Sequence, residues 1–124
     1  MSVSKAVVHA LSPSIDGAYG DMLEILEQKE ETARCYFADN DQIAIGAMRA
    51  FREKGYQIPG DISIIGFDDI QMCSYTEPPL SSVHVPKYHM GLVAAERLIR
   101  DIGQKDYYAV NIEVSTNLVL RGSI

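Results

Sequence analysis

The chain has 124 residues, 47% of them hydrophobic and 23% charged, the balance of a globular domain with one core and no room for two. Its formal net charge of −6 excludes a chain that grips a nucleic-acid backbone by itself, because phosphate contacts need clustered Lys and Arg and the 11 basic residues here are scattered. No apolar run approaches the ~20 residues that cross a bilayer, so no membrane partner is expected, and no secretory signal pattern opens the chain.

Residues 5–10 (KAVVHA) read as a short apolar strand, broken by Ser12-Pro13-Ser14. A helix follows from Asp16 and Gly17, with Ala18, Met22, Ile25 and Leu26 on one face, and ends in the charged, solvated run 27–31. Residues 34–38 form a second strand, in which Cys35 is expected to pack as a small hydrophobe. Cys35 and Cys73 match no metal spacing. Asp39, Asn40 and Asp41 can cap the next helix, whose apolar stripe is Ile43, Ala44, Ala47, Met48 and Phe51. Small residues at Ala44, Gly46, Ala47 and Ala50 permit close packing on that helix, and Gly55 suits the position just past its end.

Pro59-Gly60-Asp61 turns the chain into a strand over 62–66, apolar at nearly every position, as in a parallel strand covered on both faces. The order is then βαβαβ, and right-handed crossovers give an α/β fold with a parallel sheet flanked by helices. Pro78-Pro79 marks a turn, 81–85 another strand stopped by Pro86, and 88–102 a helix with Leu92, Val93, Ala95, Leu98, Ile99 and Ile102 apolar. Residues 103–106 read as a loop, and 110–120 as one or two strands.

Three polar groups follow predicted parallel strands: Ser12 and Ser14, Asn40 and Asp41, and Asp68 and Asp69. The carboxyl edge of an open α/β sheet is where ligands bind, so their convergence carries more than any one of them. An ionised carboxylate offers acceptor oxygens to the hydroxyls of a polyol, and Asn40 can donate or accept. Taken alone, Asp68 and Asp69 fit sugar hydroxyls, a Mg²⁺ ion or an acid/base pair, and equally a loop that caps the next turn. Asn40 and Asp41 fit plain helix capping and first-turn charge. His9 and His84 read as structural or surface residues, and no nucleophile, phosphate-loop or dinucleotide motif occurs. No catalytic residue, cofactor or metal site is therefore expected.

Several of these segments resemble LacI/GalR-type transcriptional repressors. The resemblance is carried by Asn40-Asp41-Gln42 through Ala44-Ile45-Gly46-Ala47 and Arg49-Ala50, by 58–69 (IPGDISIIGFDD), by Pro78-Pro79-Leu80-Ser81-Ser82-Val83, by Met90-Gly91 with Ala94-Ala95 and Leu98, and by Leu118-Val119 with Arg121-Gly122-Ser123. It runs from about Ser14 to the end. It implies a lobe of the periplasmic-binding-protein type I kind, incomplete here, with a small molecule such as a sugar or nucleobase bound between two lobes. Asn40 and Asp68 would contact that effector. Ser12 falls where many members place a pocket-lining side chain, often aromatic, which weakens sugar-ring stacking. Homodimer contacts would fall at Ile45, Met48, Tyr75 and Thr76.

Against the family pattern, the chain lacks a helix-turn-helix headpiece, a hinge helix, the N-terminal lobe, and the strand and helix that open the C-terminal lobe. Residues 1–124 are thus expected to be a C-terminal effector-binding and dimerisation fragment of a cytoplasmic repressor, with residues 86–109 normally packing on the missing lobe. DNA would be reached only through the missing headpiece. Two other readings stay open: a periplasmic-type sugar-binding module, and an enzyme that uses Asp68 and Asp69 with a metal.

Overall fold

The computed structural model describes residues 6–104 and 108–124. The Met-Ser-Val-Ser opening, Lys5 of the first expected strand, and Lys105 and Asp106 of the expected loop lie outside the described residues. The elements are α1 (Ile15–Glu27), β1 (Cys35–Phe37), α2 (Asp41–Glu53), β2 (Ser63–Asp68), a 3-10 turn (Gln71–Tyr75), β3 (Ser81–His84), α3 (Lys87–Asp101) and β4 (Asn117–Val119).

The sheet runs β1-β2-β3-β4. β1 pairs with β2 and β2 with β3 in parallel, with Phe37 opposite Ile65 and Asp68 opposite His84. β4 pairs with β3 antiparallel, so the sheet is mixed rather than all parallel. The α/β class with flanking helices is as expected, but only three residues of the expected strand region 110–120 join the sheet.

The first expected strand does not form: residues 6–10 carry no strand pairing. A strand exists only as a rung of a ladder, and here a cavity of about 560 Å³ lies between residues 7–11 and the outer side of β1. β1 is consequently an edge strand. For the same reason Cys35, expected to pack inside, is exposed.

α1 begins where the Ser14 hydroxyl accepts from the Gly17 N–H at 3.2 Å, and α2 where Asn40 Oδ1 accepts from the Ile43 N–H at 2.8 Å. α2 ends in a Schellman arrangement: the Gly55 N–H donates to the Arg52 carbonyl and the Tyr56 N–H to the Phe51 carbonyl, both at 3.0 Å. Gly55 has a φ of 89°, which a side chain would resist. α1 and α2 pack closely because Gly46 has no side chain. A Cβ there would meet the Ile15 carbonyl oxygen at 2.4 Å.

The core gathers Met22 of α1, Ala44, Ala47, Met48 and Phe51 of α2, Ile62, Ile64, Cys73 and Leu80. Each large apolar side chain buried this way contributes about 1.5–3 kcal/mol. Tyr36 and Tyr56 flank Phe51, each with its ring centroid 5.4 Å away. The chain's last residues close the core: the Ser123 hydroxyl donates to the Ile64 carbonyl at 2.7 Å and accepts from the Ser81 N–H at 2.8 Å. α3 stands apart from this core. It has no buried residue, and Tyr88, Leu92, Leu98, Ile99 and Ile102 are exposed.

Candidate functional site

Because β1, β2 and β3 are parallel, their carboxyl ends share one edge of the sheet. Asn40 follows β1, Asp68 ends β2 and His84 ends β3. Asn40 Oδ1 is taken up by its cap, which leaves the amide nitrogen as the donor for a ligand. Asp68 keeps 37% of its side chain exposed, with Lys87 Nζ at 3.6 Å from Oδ1. Lys87 also donates to the Asp68 backbone carbonyl, so this lysine of α3 is held at the site by the residue it neutralises.

Ser12 is exposed and sits just ahead of α1. Its N–H donates to Asp21 Oδ2 at 2.6 Å, which holds the Asp21 carboxyl below its ordinary range. Its side chain lies against Gly17 in the first turn of α1. No strand forms at 6–10, but residues 7–11 just ahead of Ser12 line one cavity with Phe37, Ala38 and Asp39 at the end of β1.

Asp68 and Asp69, adjacent in sequence, have different fates. Both have left-handed backbone, with φ of 106° and 52°. The Asp69 carboxylate turns inward: Oδ1 accepts from Arg121 Nη2 at 2.6 Å, and Oδ2 lies 3.0 Å from His84 Nδ1. Burial works against its charge. The hydrogen bonds and charges of Arg121 and His84 outweigh that and hold the carboxyl below its ordinary value.

Below the turn lies Asp41, 1% exposed. Its Oδ1 accepts from the Ser82 hydroxyl at 2.5 Å and its Oδ2 from the Ile70 N–H at 2.8 Å. Ser82 Oγ in turn accepts from the Asp69 N–H at 3.1 Å. Asp41, read from sequence as a first-turn charge, is a buried hub that ties α2 to β3 and to the turn after β2. Sequence reasoning gave Lys87 and Arg121 no role here, and read His84 only as a structural or surface residue, whereas it ends β3 against the Asp69 carboxylate. Arg121 closes a contact 52 residues long, which no local spacing signals.

Three residues expected at a dimer face, Ile45, Met48 and Thr76, line one hollow of about 440 Å³ with Arg49, Arg52, Glu53 and Glu77. Met48 is only 3% exposed, Tyr75 is exposed, and Thr76 Oγ1 accepts from the Leu80 N–H at 2.9 Å. Among the described residues, no three His, Cys, Asp or Glu side chains converge on a metal position.

The whole chain, residues 1–124, matches the periplasmic binding protein-like domain. The chain belongs to that family, in the form found in LacI-type transcriptional regulators. It is 40% identical over 101 residues to the HTH-type transcriptional repressor PurR of Vibrio atlanticus (strain LGP32), covering 82% of this chain and 30% of the relative. A LacI family transcriptional regulator from Enterococcus faecium, solved with bound ribose, superposes with a TM-score of 0.81 at 31% identity over 94% of this chain and 42% of that one. A LacI family regulator from Arthrobacter sp. FB24 in complex with lactose gives 0.77 at 25% identity, over 91% and 42%. The chain therefore spans about a third of the length of the curated relatives it matches. No described helix is long and apolar enough to cross a membrane.

Proposed function

We propose that this chain supplies one wall of a small-molecule effector site in a LacI-type repressor, with Asn40 and Asp68 facing the hydroxyls of a sugar-like ligand. The observation that carries the reading is the division of labour at the sheet edge. Asp41 and Asp69 are consumed by internal hydrogen bonds, while Asp68 stays accessible beside Lys87, on the sheet edge that also carries Asn40. Ribose and lactose occupy relatives of the same fold, which favours a polyol over a nucleobase.

The lobe opposite this wall, the DNA-binding headpiece, and a partner copy docked at Ile45, Met48, Tyr75 and Thr76 belong to the same reading, as does a cytoplasmic setting. Residues 86–109 would pack on the opposite lobe, which accounts for an α3 without buried residues. The cavity beside β1 is where a further strand would complete the sheet. Effector binding would then shift the two lobes between DNA-competent and DNA-incompetent arrangements through its differential affinity for them. The relatives' regulator names favour this reading over a periplasmic module.

The test is an NMR titration of the labelled chain with D-ribose and with lactose up to tens of millimolar. Shifts confined to Asn40, Asp68 and Lys87, and lost in Asp68→Ala, are expected. No shift at those amides with either sugar, or specific operator binding by this chain alone, overturns the reading.

A further inference from the structure

We propose that Arg121 is a positioning residue for the ligand-facing carboxylate of Asp68, acting through Asp69 without touching the ligand. The proposal rests on the effector-site reading above and adds to it the device that aims the site.

Asp68 and Asp69 are successive L-residues at positive φ, 106° and 52°, and such a pair persists only where its surroundings over-determine it. Asp69 supplies that restraint. Its carboxylate is gripped on one oxygen by Arg121 and on the other by His84, and its N–H is fixed on Ser82 Oγ. The next residue is pinned as well, by the Ile70 N–H on Asp41. With Asp69 held inward and only 15% of its side chain exposed, the chain reversal at Asp68 leaves that carboxylate outward.

Arg121 suits this role because it is itself anchored at three points. Its N–H donates to Ser81 Oγ at 2.8 Å, Nη1 donates to the Leu80 carbonyl at 2.7 Å, and Nη2 reaches Asp69. The planar guanidinium thus works as a strut from the start of β3 to the turn after β2. A lysine ammonium could restore the charge but not two divergent, directional bonds. Only 18% of the Arg121 side chain is exposed, and the bonds from Nη1 and Nη2 turn the guanidinium toward protein oxygens.

Two readouts on the 124-residue chain test this, one without ligand. Backbone scalar couplings and carbon shifts report φ at positions 68 and 69 in the wild type, Arg121→Met, Arg121→Lys and Asp69→Ala. The expected result is positive φ at both residues in the wild type, lost in Arg121→Met and not restored by Arg121→Lys, in proteins that still melt cooperatively. Retention of positive φ in Arg121→Met overturns the proposal. Should Arg121→Met fail to fold, Asp69→Ala, which removes the acceptor, takes its place, and retention of positive φ at Asp68 there overturns the proposal equally.

The second readout is D-ribose affinity in a double-mutant cycle of Arg121→Met with Asp68→Ala. The expected result is that each single variant loses affinity to the same level and the double variant loses no more. Additive losses, which a merely structural Arg121 would give, count against it. A turn that relaxes in Arg121→Met while ribose binding is unchanged in Asp68→Ala instead removes the effector-site reading and leaves the strut intact.

Discussion

Asp41 and Gly66 occupy each other's space: a Cβ on Gly66 would sit 2.1 Å from Asp41 Oδ1 and 3.2 Å from its Cα. The glycine in β2 is therefore what lets the first turn of α2 press onto the sheet and deliver a carboxylate to Ser82 and Ile70. That oxygen is the tip of a side chain, but it is not free to swing, because it already accepts the Ser82 hydroxyl at 2.5 Å. Gly66→Ala should destabilise the chain by about 1–3 kcal/mol through overpacking. Urea unfolding checks this, and a variant of wild-type stability would show that α2 can lift away at no cost.

Asp41 is buried in the first turn of α2, where its carboxyl accepts from the Ser82 hydroxyl and the Ile70 N–H and also meets the Cys73 thiol. Asp41→Ala strands the Ser82 hydroxyl and the Ile70 N–H and should cost about 2–3 kcal/mol. Asp41→Asn keeps the shape and one acceptor, so it should cost less. Equal losses in urea unfolding would mean that the negative charge, rather than the acceptor geometry, is what the site needs.

What the sequence makes legible divides from what it hides along the range of the interactions. The cap at Asn40, the Schellman end at Gly55 and the buried strand β2 are set by neighbours a few residues apart, and their spacing announces them, whereas Ser14, read only as part of a break, turns out to cap α1. The polar edge at Asn40 and Asp68 follows from the same local punctuation plus the parallel crossover rule. What spacing cannot show is which of two adjacent aspartates faces out. Asp68 and Asp69 are alike in the sequence, and Arg121, at the far end of the chain, decides between them. Likewise residues 6–10 have a strand's composition but stand off the open edge of β1 across a cavity, and composition does not report whether a ladder closes. α3 has the apolar periodicity of a packed helix for the same reason: periodicity records that a face is to be covered, not by what.

The two thiols should differ sharply in reactivity. Burial, together with the hydrogen bond and negative charge of Asp41, pushes the Cys73 thiol up to about 12, whereas Cys35 is exposed on the edge strand. Iodoacetamide at pH 8 should label one cysteine in the native chain, identified by mass spectrometry as Cys35, and both in urea. Rapid labelling of Cys73 in the native state would contradict the packing of the 3-10 turn against the core.

Acid should expose the strut at Asp69. Its carboxyl is held below the ordinary 3.8 in the fold, so the stabilisation it brings is present above that value and is lost as pH falls through the lowered one. Stability measured by urea between about pH 5 and pH 2 should therefore fall in the wild type more steeply than in Arg121→Met, where the carboxyl has less to lose. Parallel pH profiles for the two proteins would mean that Arg121 does not stabilise the charged form.

Self-association should follow from α3. Leu98 is 63% and Ile99 72% exposed, and Tyr88, Leu92 and Ile102 extend an uncovered apolar surface of the kind that drives association. A second face, Ile45 and Thr76 around a hollow with Tyr75 exposed beside it, is the proposed homodimer contact. Light scattering across a dilution series should give a mass above the 13.7 kDa of one chain. Leu98→Glu with Ile99→Glu should reduce that mass to a dimer's and lower the urea midpoint only by what association through α3 contributes, because neither side chain belongs to the core. Adding Tyr75→Lys should then give the monomer. A wild-type chain that is monomeric on dilution would mean that α3 has found cover on its own chain in solution. A triple variant that stays dimeric would place the dimer contact on a surface other than these two.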